Sequence, residues 1–265
     1  MSLALIHAKP NRATIIVAQR RLLSLATKYE HPSLNLWFNN ARYLVSASSP
    51  ASIPKLEGEP EVVIVGRANV GKSTMLNLLL TRNKLVTTSS KPGGTKELKF
   101  FRVEITAGVT TKPLVLVDSP GYGSRGRAHW GQLFDQYIQE RKQLKRIYIC
   151  FNARHMLKDT DLAMLEHLSK AANGRWTIQP IFTKIDAIPE NRASSHILQM
   201  IEDLEKVADP TLVHKPFMTG MVRGSGVLGV GIVGLKKDLA RVAGLVKPIE
   251  EIEEPQTKLK LDVLL

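Results

Sequence analysis

Gly66, Gly71, Lys72 and Ser73 stand at the spacing G-x-x-x-x-G-K-[ST], inside the run Gly66-Arg67-Ala68-Asn69-Val70-Gly71-Lys72-Ser73-Thr74. Glycines at these positions let the backbone curl until successive N–H groups point at one place, and a helix beginning there adds the positive end of its dipole. That chemistry suits phosphate. The Lys72 ammonium can reach the β- and γ-phosphates, and the Ser73 hydroxyl is placed to ligate Mg²⁺. Such a loop has to be held between a strand and a helix. Val62-Val63-Ile64-Val65 before it reads as a buried strand and Met75–Leu80 after it as a helix, so the chain is expected to bind a nucleoside triphosphate.

Three later motifs refine that expectation. Asp118 and Gly121 form D-x-x-G at the end of the apolar run Leu114–Asp118. The Asp118 carboxylate would hold Mg²⁺ through water, and the Gly121 N–H would touch the γ-phosphate. Thr183-Lys184-Ile185-Asp186 fits [NT]-K-x-D after another apolar strand. Guanine offers N1–H and its 2-amino group as adjacent donors, which one carboxylate can accept together, so Asp186 would select GTP over ATP. Lys184 would lie along the base and Thr183 would brace the loop. Ser89-Ser90-Lys91-Pro92-Gly93-Gly94-Thr95 lies between the first helix and the second strand. Thr95 could complete the Mg²⁺ shell only while the γ-phosphate is present, which would make this loop a nucleotide-dependent switch.

The elements that must position these residues alternate between strand and helix, as in a sheet covered on both faces. Strands are expected at Glu61–Val65, Leu98–Ile105, Leu114–Asp118, Arg146–Phe151, Thr177–Thr183 and Val213–Met218. Helices are expected around Leu133-Phe134-Tyr137-Ile138, around Leu162-Leu165-Leu168 up to a cap at Asn173-Gly174, around Ala193-Ile197-Ile201-Leu204, and around Leu235-Leu239-Val242. The Ala107-Gly108 turn predicts a hairpin between the second and third strands. The fold class is α/β: a six-stranded, mostly parallel sheet with one antiparallel strand. Leu34–Val45, with Trp37 and Phe38, reads as a short helix, followed by a Ser/Pro linker to Pro60. Gly224-Ser225-Gly226-Val227-Leu228-Gly229 satisfies G-x-G-x-x-G, but a dinucleotide site needs a following strand with its acid. It is therefore read as a glycine loop entering the last helix.

With 265 residues, the chain suits one domain with extensions. Cys150, the single cysteine, is expected to be a buried small hydrophobe, and no Cys/His cluster suggests zinc. No apolar stretch is long enough to span a bilayer. The net charge of +13 points to a polyanionic partner such as RNA or to an anionic membrane, with plain solvated basicity as the alternative. RNA contact is favoured, and a DNA partner is not expected. Arg125, Arg127 and His129 are candidates for that contact. No acidic residue precedes Glu30, while Lys9, Arg12, Arg20, Arg21 and Lys28 are spread among apolar and small residues. Ala13–Ala26 could form an amphipathic helix, the pattern of a mitochondrial transit peptide. Residues 1–30 are read as that leader, 31–59 as the N-terminal helix and linker, 60–246 as the nucleotide domain and 247–265 as a flexible charged tail.

Taken together, G-R-A-N-V-G-K-S-T, K-P-G-G-T, D-S-P-G-Y-G and T-K-I-D resemble the motifs of the EngB (YihA/YsxC) GTPase family. Ala153–Asp161 also resembles that family's stretch after the fourth strand, and the match runs from about Leu34 to Leu245. The resemblance implies a Ras-like fold, GTP hydrolysis, and work in maturation of the large ribosomal subunit. Combined with the leader, it implies a monomeric mitochondrial-matrix protein that meets rRNA or a large-subunit precursor. Asn152 and Ala68 stand where the family usually has Asp and Ser. Phe217-Met218-Thr219-Gly220-Met221 stands where it tends to show a serine pair, so the guanine O6 would fall to backbone N–H groups near Thr219 and Gly220. Tyr122 follows D-x-x-G where Ras uses glutamine, so hydrolysis is expected to be slow without an activator. By similarity to related GTPases, Asn69 would help hold K⁺ against the phosphates. Among these residues, Lys72, Thr95 and Gly121 are the expected catalytic groups. The alternative function is a nucleotide-stabilised RNA- or ribosome-binding module whose hydrolysis is incidental.

Overall fold

The computed structural model describes residues 36–56, 58–80, 97–123, 127–223 and 227–245. The leader, the tail, Gly94 and Thr95 lie outside them, as does Arg125. Seven strands form one sheet in the order β1-β3-β4-β2-β5-β6-β7. They are β1 (Leu36–Ala47), β2 (Glu61–Gly66), β3 (Leu98–Ala107), β4 (Thr110–Asp118), β5 (Leu144–Asn152), β6 (Thr177–Thr183) and β7 (Phe217–Met218). The central strands β4, β2, β5, β6 and β7 pair in parallel. β3 is antiparallel to both of its neighbours, β1 and β4, so it is the one reversed strand. The hairpin between β3 and β4 closes at Gly108-Val109, with Ala107 opposite Thr110.

The helices cover both faces. α2 (Arg127–Glu140), α3 (Asp159–Ala172) and α4 (Ala193–Glu205) bury Phe134, Tyr137, Leu165, Leu168 and Met200 against Val63, Val65, Val117, Ile149 and Phe182. α1 (Lys72–Leu79) and α5 (Ile232–Val242) bury Leu76, Leu79, Leu235 and Leu239 against Val62, Ile64, Leu116, Tyr148 and Cys150. β2 is buried along its whole length, as a strand with helices over both faces must be. α3 ends on Asn173 in the left-handed conformation, at the expected cap. Cys150 is buried, and burial pushes its thiol up to about 12, so it acts as packing.

Three expectations are corrected. Leu34–Val45 is not a helix, because the described part of it belongs to β1, at the edge of the sheet. The β1–β3 register shifts between Asn39 and Arg42 and again between Tyr43 and Val45, with Asn40 at φ 50°. These bulges break strict alternation, so Phe38 and Ala41 are both buried at helix-like spacing. The sheet therefore gains a seventh strand and begins well before Pro60. At the other edge the expected Val213–Met218 strand shrinks to β7, and Val213 makes only an isolated bridge to Ile178. Finally, Val227–Val230 is not loop but β9, paired antiparallel with β8 (Gly220–Arg223) in a separate hairpin.

Candidate functional site

The phosphate loop leaves the carboxyl end of β2 at Gly66, turns through Arg67–Val70, and enters α1 at Lys72. Asn69 takes a positive φ of 60° at the turn, and Gly71 is the α1 N-cap. Asn69 to Thr74, together with Lys184, line a pocket of about 230 Å³. Ser73 lies in the first turn of α1 and is one of these lining residues. Lys72 is only 8% exposed, and its ammonium donates to the carbonyl of Gly66 at 3.0 Å. Burial pulls its pKa below the ordinary lysine range, with Asp118 opposing that shift.

Asp118 closes β4, next to β2 in the sheet, where Ile64 is its partner in register. It is 5% exposed, and Oδ1 has no hydrogen-bond partner among the described residues. Burial raises its carboxyl to about 6 against the pull of Lys72 and Lys99. A buried carboxylate oxygen left without a partner is costly, and a bound cation would remove that cost. The orphaned oxygen, with the hydroxyl-bearing Ser73 in the first turn of α1, fits a hard divalent cation accompanying phosphate. Gly121 is pressed against the phosphate loop, since a Cβ there would lie 2.7 Å from the Ala68 nitrogen. Only glycine fits this place.

The second motif group meets the first across the sheet. Thr183 ends β6 and its hydroxyl contacts two carbonyls, Val70 at 2.6 Å and Phe151 at 3.1 Å. Lys184, at φ 58°, extends over the loop and donates to the Asn69 carbonyl at 2.7 Å. Asp186 sits in the short 3₁₀ turn Ile185–Ala187, and its Oδ1 accepts the Met221 N–H at 3.0 Å. Thr219 is buried, with its N–H donating to Phe182 and its carbonyl accepting from Ile185. Gly220 packs against Asp186, 2.9 Å from Oδ1 to where a Cβ would stand. These contacts fix the carboxylate two positions after Lys184, which itself lines the pocket.

The structure thus gathers Gly66–Thr74, Asp118, Gly121, Thr183, Lys184, Asp186, Thr219 and Gly220 at the carboxyl ends of the parallel strands. Two residues escaped sequence reasoning in their actual roles. Asp161, wholly buried at the start of α3, receives both Arg67 and Tyr122. Tyr122 turns inward to it and does not face the pocket. The available signal was Lys158-Asp159-Thr160-Asp161, whose Asp161 caps the Lys158 N–H at 3.0 Å. Asn152 instead caps the turn after β5, accepting from the Arg154 N–H. Arg127 and His129 lie in the first turn of α2. No cluster of three metal-ligating residues occurs among the described residues, and none of their helices is long and apolar enough to cross a membrane.

Fold and site together define a P-loop GTPase with a Ras-like domain. Residues 61–184 match the family model described as 50S ribosome-binding GTPase. A protein of Rhodopseudomonas palustris named Probable GTP-binding protein EngB is 36% identical over 70% of this chain and 82% of its own length. A namesake from Afipia carboxidovorans is 32% identical over 77% of this chain and 93% of its own. Toc33 from Arabidopsis thaliana, solved with GDP and Mg²⁺, shares the fold at a TM-score of 0.51 and 15% identity, over 69% of this chain and 84% of that one. The chain belongs to the EngB family of GTP-binding proteins, and it hydrolyses GTP.

Proposed function

We propose that this GTPase is a switch assisting assembly of the mitochondrial large ribosomal subunit, working as a monomer in the matrix. The observation that supports the switch is a contrast: Asp186 is held by an internal hydrogen bond, while the Asp118 Oδ1 has no partner among the described residues. The ribosomal reading is supported by the description of the matching family as 50S ribosome-binding and by the net charge of +13. The mitochondrial reading is supported by the acid-free, arginine-bearing segment before Glu30.

In this reading the N–H groups from Asn69 to Thr74 cradle the phosphates, and Lys72 neutralises charge on the β- and γ-phosphates. Asp186 takes the two guanine donors while Thr219 and Gly220 offer backbone to O6. Ser73 and Asp118 would hold Mg²⁺, with Thr95 joining in the triphosphate state. When bound, the ion would draw negative charge from the phosphate oxygens. Gly121 N–H would meet the γ-phosphate while water attacks phosphorus and the bond to the bridging oxygen breaks, giving GDP and phosphate. Asn69 would contribute to a K⁺ site, and equal turnover in K⁺ and Na⁺ buffers would remove that ion from the scheme.

The inward turn of the Tyr122 hydroxyl favours a second reading, in which hydrolysis is incidental and the nucleotide only stabilises an RNA-binding form. Gradient sedimentation of mitochondrial lysate with GTP, GDP or a non-hydrolysable analogue tests the proposal. Co-migration with large-subunit precursors in the triphosphate state alone is expected, and co-migration indifferent to nucleotide overturns the switch.

A further inference from the structure

Tyr122 directly follows D-S-P-G, yet it is 5% exposed and points away from the pocket. Its hydroxyl donates to Asp161 Oδ1 at 2.8 Å, and Arg67 Nε donates to the same oxygen at 2.9 Å. The other carboxylate oxygen accepts the Lys158 N–H at 3.0 Å. Burial and the neighbouring Asp161 charge both raise the Tyr122 pKa, so the phenol stays protonated and remains a donor.

The backbone is tied at the same place. Tyr122 N–H donates to the Gly66 carbonyl at 3.3 Å, and Arg67 and Tyr122 form an isolated parallel bridge. The Arg67 stem runs under Gly123, and Gly121 abuts Ala68. One buried acid therefore binds a residue of the phosphate loop and the residue immediately after Gly121, from a helix that contributes no residue to the pocket lining.

We propose that Asp161 is a positioning residue for GTP hydrolysis: by clamping Tyr122 to Arg67 it fixes the Gly121 backbone against the phosphate loop, where the γ-phosphate must be met. Two similar clamps elsewhere do a different job. Tyr137 and Arg141 meet Glu61, and Tyr148 and Arg146 meet Asp238, each joining a helix to the sheet away from the pocket. Only the Asp161 clamp, among the described residues, joins the two loops that face the phosphates. Misplacement of reacting groups by a fraction of an ångström lowers the rate of a bound reactant without changing how tightly it is held.

The inference rests on the phosphate-site assignments proposed above, and one experiment separates the two. The full chain and its Tyr122→Phe, Asp161→Asn and doubly substituted variants are compared by single-turnover GTP hydrolysis, GTP KM, affinity for fluorescent GDP, and Tm. Tyr122→Phe is expected to lower kcat roughly tenfold, with GDP affinity and KM within about twofold. Asp161→Asn keeps an acceptor for the phenol and should lose less, and the double variant should be no slower than Tyr122→Phe. Unchanged hydrolysis in Tyr122→Phe overturns the proposal, as does a rate loss matched by an equal loss of GDP affinity. If Asp161→Asn does not fold, Tyr122→Phe alone decides. Failure of the unsubstituted chain to bind fluorescent GDP would instead overturn the site assignments.

Discussion

Glu61, Asp161 and Asp238 are buried acids that each receive one arginine and one tyrosine hydroxyl, whereas Asp118 is a buried acid whose Oδ1 receives no hydrogen bond from any described residue. The first three sit where elements must be joined, and each carboxylate accepts from protein donors in place of lost water. Asp118 sits at the strand end beside the phosphate loop and is left under-satisfied. On the proposed assignments, the contrast separates acids that hold the fold from one kept for a ligand.

The largest test is Asp118→Asn. Removing the charge is expected to slow GTP hydrolysis about 100-fold or more in Mg²⁺ while raising Tm in EDTA at neutral pH, measured by phosphate release and thermal unfolding. A falling Tm would place Asp118 with the structural acids. Glu61→Ala should do the reverse. It strands Arg141 and Tyr137 and should lower unfolding free energy by about 3 kcal/mol in urea titrations, with turnover per folded molecule retained.

A pH series sharpens the same distinction. The folded-state pKa of Asp118 is raised to about 6, so between the unfolded value and about 6 the native state binds the extra proton. Stability of the metal- and nucleotide-free chain should therefore fall as pH rises through that window, by ~2 to 3 kcal/mol in total. The fall should be missing in Asp118→Asn. The smallest effect is expected at a neutral group. Thr183→Val leaves the Val70 and Phe151 carbonyls without their shared hydroxyl, and should cost about 1 to 2 kcal/mol in urea and weaken GDP binding modestly.

Much of the site could be read in advance because its parts are local strings at strand ends. Gly66–Thr74, Asp118 to Gly121 and Thr183 to Asp186 each combine an apolar run with a short functional turn, and a parallel sheet brings such turns to one edge. Partnerships between distant side chains left no such string. Nothing in the spacing of Arg67, Tyr122 and Asp161 announces their meeting, and Tyr122 read as an absent glutamine, not as a buried anchor. β1 was hidden for a different reason. Bulges near Asn40 and Tyr43 reset its inward phase, so residues three apart face the core and imitate a helix. The Gly224–Gly229 glycines obscured β9, whose strand character depends on pairing with β8 and not on its own composition.

The bracing of the phosphate loop from β6 also sets an order of events during synthesis. Thr183 reaches Val70 across 113 positions, and Lys184 reaches Asn69 across 115. Asp186 accepts the Met221 N–H from further still along the chain. A chain emerging from a ribosome or crossing a pore from its amino end would expose the phosphate loop early and its braces late. Parallel pairings of this separation close slowly and late. On the site assignments proposed above, capture of guanine nucleotide would report that the chain has emerged as far as Met221.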